Sequence, residues 1–193
     1  MTAQTRWRRP RVSTFEAVRA VASRFCPPYV VDREDAAVVR VTLRDPGRVR
    51  PNVVLSHRYV RRLFLKTNYL RVTSAVPGRG PKGSAELRFR FRGPLSRQRA
   101  SIGWTESVPD GDRWLERLRG PLQEAARGVE ALQSLKIRWS PKREVWLLEL
   151  ETMSGSVVSG IGAFLPVAVP FDPGEAQAVI ALVDALRSTR AAP

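Results

Sequence analysis

The sequence predicts a single-domain α+β fold: a mainly antiparallel curved sheet, about three to four helices packed on one face, and a C-terminal helix. Two patterns predict this class. Several stretches alternate apolar and polar residues and are joined by short turns, which favours antiparallel pairing. Three other stretches repeat apolar residues at helical spacing. A chain of 193 residues with 43% hydrophobic residues can bury one core.

The first elements are a helix and a strand. Ser13 or Thr14 can cap a helix whose apolar residues recur at helical spacing from 15 to 25. The helix is expected to end at the proline pair 27–28, because proline cannot continue it. Residues 39–44 alternate apolar and polar side chains and predict a strand, which the turn signal at 45–47 closes.

Residues 53–66 are the ambiguous part of the first half. Leu55, Tyr59 and Leu63 fit a helical period with basic side chains opposite, so we favour a short basic helix over a strand. The alternation in residues 86–92, where apolar and charged residues take turns, predicts a strand more clearly than any other stretch. Further strands are expected at 68–76 and 100–106, and a Gly/Pro loop at 77–83.

The second half begins with a helix. Apolar spacing predicts it from Trp114 to Val129, and Pro121 inside it should kink or split it. Pro173 and Glu175 open a last helix. Between these helices, strands are expected at 135–139, 144–152 and 157–169, the first two joined by a hairpin turn at 140–143.

The predicted domain organisation is simple. Residues 1–13 are expected to be a flexible basic arm and residues 14–190 a single domain, with a weak subdivision near 106–111 as the alternative. No export signal is recognisable, and the most apolar stretch, 157–171, is too broken by Gly and Pro to span a bilayer. The sequence therefore predicts a cytoplasmic protein without a transmembrane segment.

Positive charge is concentrated in the first half. Residues 1–105 carry 23 Lys/Arg and 6 Asp/Glu, whereas residues 106–193 carry 10 and 12. Such asymmetry indicates an anionic macromolecule as partner: nucleic acid first, with an anionic lipid surface or an acidic protein as alternatives. GC-rich codon usage could also explain 29 Arg against 4 Lys. It does not explain why acidic residues are scarce in one half only.

The strand arginines form the most coherent candidate site. They lie opposite the apolar face of their strands, so a shared sheet would present an arginine-rich surface suited to phosphate. The alternative is a solvated face with scattered ion pairs. No sequence-reading module is recognisable. The candidate anion-binding residues are Arg40, Arg44, Arg58, Arg61, Arg62, Arg88, Arg90 and Arg92.

Enzyme chemistry is poorly supported. One Cys and one His exclude an internal disulfide and thiolate-rich or histidine-rich metal sites within one chain, and we predict neither a metal nor a cofactor. The loop 78–84 has the wrong residue order for a phosphate loop. Glu149 and Glu151 share a strand face and are the best catalytic candidates, unless they pair with neighbouring arginines. His57 is expected to be a structural or a surface histidine.

The sequence therefore favours a non-enzymatic binding protein whose basic half docks an anionic partner. One alternative is a carrier of a small apolar ligand or lipid, since glycines in residues 154–171 leave room between apolar side chains. Its candidate pocket residues are Val158, Ile161, Phe164 and Leu165. A protein–protein adaptor is the other alternative, because adaptors carry no motif chemistry.

Overall fold

The computed structural model of the chain describes most of the region between residues 14 and 189. Described residues are 14–25, 29–35, 38–45, 48–49, 53–62, 65–91, 100–104, 110–129, 131–160 and 166–189. Side chains are described for 16–25, 53–61, 66–88, 110–129, 131–160 and 166–189. The predicted basic arm and the predicted subdivision near 106–111 therefore lie wholly or largely outside the described residues.

Three helices and ten strands occur in this described part of the chain. The helices are α1 (Thr14–Ala22), α2 (Gly111–Arg127) and α3 (Pro173–Ser188). The strands are β1 (Tyr29–Asp35), β2 (Val38–Asp45), β3 (Arg48–Val49), β4 (Val53–Arg62), β5 (Leu65–Pro77), β6 (Ala85–Phe91), β7 (Ala100–Trp104), β8 (Leu132–Ser140), β9 (Val145–Gly160) and β10 (Val167–Ala168).

The strands form one antiparallel sheet that does not close on itself. Eight strands follow in the order β1-β2-β4-β5-β9-β8-β6-β7, while β3 pairs with β2 and β10 pairs with β9. Strands β5 and β9 lie at the centre and join the two halves of the chain. The predicted single-domain α+β class, with an antiparallel sheet and a C-terminal helix, is confirmed.

All three helices pack on the same face of the sheet, which we call the helix face. Cross-strand partners share a face, and one row of partners runs Leu55, Val72, Leu150, Leu135 across four strands. Their side chains join a single core cluster with Val21 of α1, Leu122 of α2 and Leu182 of α3. The core is therefore continuous from the first helix to the last.

Residues 53–62 correct the sequence prediction, because they form strand β4 and not a helix. Val53 and Leu55 are buried while Val54 and Ser56 are half-buried, which is a period of two. The segment pairs with β2 on one side and with β5 along its full length on the other. Pairing with β5 along the whole segment, and with β2 over residues 53–56, overrides a helical spacing of apolar residues that is weak over so short a stretch.

The sequence predicted that Pro121 would kink or split α2, and the structure shows that it does not split it. The helix runs unbroken from Gly111 to Arg127 with an exposed Pro121 inside it. Proline disfavours a helical residue before it through contact with that residue's Cβ. The preceding residue here is Gly120, which has no Cβ, so this part of the penalty is absent.

Candidate anion-binding surfaces

Ion pairs link strands in the described part of the sheet face opposite the helices, which we call the open face. Arg58 on β4 contacts Glu151 on β9, with 2.6 Å between Nε and Oε1. Arg71 on β5 donates to Glu149 at 2.7 Å, and Arg138 on β8 reaches the other Glu149 oxygen at 3.4 Å. Both candidate catalytic carboxylates are thus held by arginines of other strands: Glu149 by the two strands beside β9, and Glu151 by β4, one strand further away.

One consequence is a difference in the stability effects of two open-face arginines. Replacing Arg58 with Ala should lower the free energy of unfolding by about 1–2 kcal/mol, because Glu151, whose side chain is 9% exposed, loses its partner. The same change at Arg88, paired with the 21% exposed Glu86, should cost less than about 0.5 kcal/mol. Urea denaturation of both variants measures the difference. Equal losses of unfolding free energy would contradict the argument that the burial of the paired carboxylate decides the effect.

The eight predicted anion-binding arginines are not brought into one described site. Arg58 and Arg88 form the ion pairs above, and Arg61 is exposed on the helix face. The side chains of Arg40, Arg44, Arg62 and Arg90 are outside the description, as is the whole of Arg92. Anion binding by this set stays a prediction.

The predicted apolar pocket is only partly described. Val158 is half-buried and pairs with Thr67 and Val167, whereas Ile161, Phe164 and Leu165 lie outside the described residues. A shallow concavity of about 510 Å³ exists elsewhere, on the open face. It is lined by Val54, Thr73, Ser74, Ala75, Arg138, Leu147, Leu148 and Glu149. The pocket near Val158 stays a prediction.

A basic surface forms where four strands end, and we call it the basic end. Loop 78–84 leaves β5, crosses the ends of β9 and β8, and enters β6. It lies beside turn 141–144, because the Gly78 amide donates to the Glu144 carbonyl at 3.2 Å. The two segments together carry four exposed cations and one exposed carboxylate, that of Glu144. The cations are Arg79, Lys82, Lys142 and Arg143.

Two buried tryptophans hold loop 78–84 in place. Trp146 donates its indole N–H to the carbonyl of Arg79, and Trp139 donates to the carbonyl of Pro81, both at 2.9 Å. A Cβ on Gly80 would lie 2.4 Å from the Trp139 ring, so the close approach requires glycine. The backbone of the loop is therefore fixed against the core, while the side chains of Arg79 and Lys82 stay exposed.

The C-terminal end of α3 completes this anchoring. Thr189, just after the helix, accepts from the Arg79 amide at 3.3 Å and donates to the Leu186 carbonyl at 2.6 Å. A Cβ on Gly78 would lie 2.5 Å from the same hydroxyl. The backbone of the basic end is thus held from three sides: by turn 141–144, by the two tryptophans and by the end of α3.

A second exposed group lies at the far end of the β4–β5 hairpin. Tyr59 pairs with Asn68 and Arg61 with Lys66, so all four residues share the helix face. Tyr59 is 56% exposed, and Arg61 and Lys66 are exposed as well. We call these four residues the hairpin platform.

His57 lies between the core and the hairpin platform. Its Nε2 is 3.0 Å from the carbonyl of Gly155, in a stretch where β9 bulges away from regular pairing with β5. Ser156 stabilises the same bulge, accepting from the Leu70 amide and donating to the Thr152 carbonyl. This arrangement agrees with the structural role expected for the single histidine.

Sequence reasoning named Arg61 as an anion-binding candidate but missed the other residues of both surfaces, although one signal was present. Residues 46–85 contain nine Lys/Arg and no Asp/Glu. This acid-free stretch covers β4, β5 and loop 78–84, so it includes the hairpin platform and half of the basic end. No sequence pattern identifies the tryptophan contacts, because their partners are 58 and 67 residues away.

The described part of the chain shows neither a membrane-spanning helix nor a metal-ligating cluster. None of its helices is long and apolar enough to cross a membrane. Within the same residues, no three His, Cys, Asp or Glu side chains lie together as a metal site requires.

Comparison with known proteins gives a family match. The family described as "Protein of unknown function (DUF3156)" matches residues 26–189. No curated protein and no solved structure matches the chain significantly. The family match covers most of the sequence, from the end of the first helical segment to the end of α3, and we conclude that the chain belongs to the DUF3156 family.

Proposed function

We propose that this protein is a non-enzymatic binding protein that docks nucleic acid on its basic end. The observation that carries the proposal is the convergence of Lys82, Lys142 and Arg143 on two neighbouring segments, with Glu144 the only acidic residue in either. Closely spaced cations bind the phosphate backbone because they displace condensed counterions from it. The predicted cytoplasmic location would give the protein access to RNA and DNA.

Fixed geometry supports a binding role for this surface. Trp139 and Trp146 hold the loop backbone, so binding need not order it. Each indole hydrogen bond contributes about 1 kcal/mol to that arrangement. The lysine and arginine side chains remain exposed and can follow phosphates of any sequence, which suits backbone contacts better than base reading.

The open face contributes less to the proposal. Its described arginines Arg58, Arg71 and Arg138 already contact Glu149 or Glu151. A phosphate would have to replace these carboxylates, whereas no acidic residue occurs in loop 78–84. We therefore place the first contact at the basic end and keep the strand arginines as additional candidates.

Salt dependence of DNA binding tests the proposal. Fluorescence anisotropy with a labelled DNA duplex between about 50 and 200 mM salt gives the slope of log K against log salt concentration. The wild-type slope should be steep. The triple variant Lys82→Gln/Lys142→Gln/Arg143→Gln should bind more weakly and flatten the slope by about 2 to 3, near one for each lost phosphate contact.

A matched variant controls for net charge. Arg113→Gln/Arg119→Gln/Arg127→Gln removes three exposed charges from α2, where acidic residues are interspersed, and should leave the slope close to wild type. Equal effects of both triple variants would mean that only net charge matters and would reject the basic end as the site. Absence of binding at low salt would reject nucleic acid as the partner.

A further inference from the structure

We propose that the hairpin platform binds an unpaired base of single-stranded nucleic acid, with the base stacked on Tyr59 and the adjoining phosphates on Arg61 and Lys66. This inference rests on the proposed nucleic-acid function and specifies its substrate class. Nucleic-acid proteins that bind single strands combine exposed aromatic rings with cations along the backbone path.

The register of the hairpin sets the geometry. Directly opposed residues on one face have Cβ atoms about 5 Å apart, and the diagonal neighbours lie about 7–8 Å away. Tyr59 with Asn68 and Arg61 with Lys66 are successive pairs of this kind. The two cations therefore lie within one nucleotide's reach of the tyrosine ring, and Asn68 places an amide that can donate and accept hydrogen bonds beside it.

Exposure of Tyr59 makes the ring available. Tyr59 lies on the helix face but is 56% exposed, because the core cluster ends at Leu55 on β4 and at Leu70 on β5. No Asp or Glu occurs between residues 46 and 85. The local chain thus offers an aromatic surface and positive charge with no acidic residue of its own to repel phosphate.

A lipid surface fits these observations less well than a base. Tyr59 and Val167 are the large hydrophobic side chains that are exposed in the described part of the chain. Val167 pairs with Val158, which pairs with Thr67, and this row lies on the face opposite Tyr59. One membrane could not bury both residues, and a lone tyrosine among charges is too small an apolar patch for insertion.

A duplex fits less well also. Base pairs in a double helix stack on each other and hide their ring faces, so an isolated tyrosine can stack only on an unpaired or splayed base. The platform further lies at the opposite end of the 13-residue strand β5 from the basic end, about 40 Å away along the strand. The two surfaces are separate, and their variants should have separable effects.

Substitutions of Tyr59 test the inference. Anisotropy titrations with a labelled oligothymidine should show that Tyr59→Ala weakens binding about 5- to 150-fold, while Tyr59→Phe keeps it within about 2-fold, because phenylalanine retains the ring. With a strand of the same length made of abasic sites, wild type and Tyr59→Ala should bind equally. A DNA duplex should also bind both proteins equally. Thermal melting confirms that each variant is folded.

The outcomes separate this inference from the function on which it rests. If duplex binding shows the steep salt slope but Tyr59→Ala does not weaken oligothymidine binding, the platform is refuted and the basic end stands. If Tyr59→Ala weakens abasic and oligothymidine strands equally, stacking is refuted. If wild type binds phosphatidylcholine vesicles containing phosphatidylserine and Tyr59→Ala does not, while neither binds nucleic acid, a lipid surface replaces both proposals.

Discussion

Replacing Trp146 with Ala is expected to lower the free energy of unfolding by about 3–5 kcal/mol. The side chain is fully buried and packs against Trp139, whose ring centroid is 5.1 Å away, and Trp114, at 6.4 Å. Truncation removes this contact area and leaves a cavity that the rigid sheet around it cannot fill. It also removes the hydrogen bond to Arg79 that holds loop 78–84.

Urea denaturation followed by circular dichroism measures this loss. The variant Trp146→Phe separates packing from hydrogen bonding, because it retains an aromatic ring but cannot donate to the Arg79 carbonyl. We expect it to cost about 1–3 kcal/mol, less than alanine. A loss below about 1 kcal/mol for Trp146→Ala would show that the core does not depend on this residue as the structure indicates.

Replacing Gly155 with Ala is expected to cost about 2–3 kcal/mol for two independent reasons. Its φ of 74° lies in the left-handed region, where a Cβ adds about 1 kcal/mol of backbone strain. That Cβ would also lie 2.7 Å from Val21 and 2.9 Å from Leu70, side chains that are both buried in the core. The glycine therefore lets α1 pack onto the bulge of β9.

Ala131→Gly is the matched control, because its effect on the free energy of unfolding should not be a loss. Ala131 has a φ of 50°, is exposed, and lies immediately before β8, where its carbonyl accepts from the Met153 amide at 3.1 Å. Ala131→Gly keeps that hydrogen bond and relieves the backbone strain, so it should be neutral or raise the free energy of unfolding by up to about 1 kcal/mol. Urea denaturation of Gly155→Ala and Ala131→Gly measures both changes in the free energy of unfolding. An unchanged free energy of unfolding for Gly155→Ala would contradict the steric argument.

Local pattern was sufficient for much of the fold. The alternation of Leu135, Ile137 and Trp139 with polar residues, followed by the turn at 140–143, correctly predicts the β8–β9 hairpin. The last helix is also confirmed, with a capping box in which Asp172 accepts from Gly174 and Glu175 accepts from Asp172. These features depend on residues that are close in sequence, so local sequence patterns predict them.

Features that depend on distant residues were not predictable in the same way. Residues 53–62 become a strand because they pair with β5 along their full length and with β2 over residues 53–56. The local spacing of apolar residues does not reveal either neighbour. The pairing of Glu149 and Glu151 with arginines was foreseen as an alternative, yet the identity of the partners depends on the register of β4, β5 and β8. The basic end needs the same long-range information.

The anchoring of loop 78–84 has a consequence for how the molecule acquires its shape during synthesis. The Arg79 amide bonds Thr189, which is 110 residues further along the chain, and the loop rests on tryptophans that are made long after it. Contacts between such distant residues form slowly, and here they require the chain as far as Thr189 to have left the ribosome. The geometry of the basic end therefore forms late in folding. A nascent chain carries the positive charges of loop 78–84 before the contacts that hold this loop in place can form.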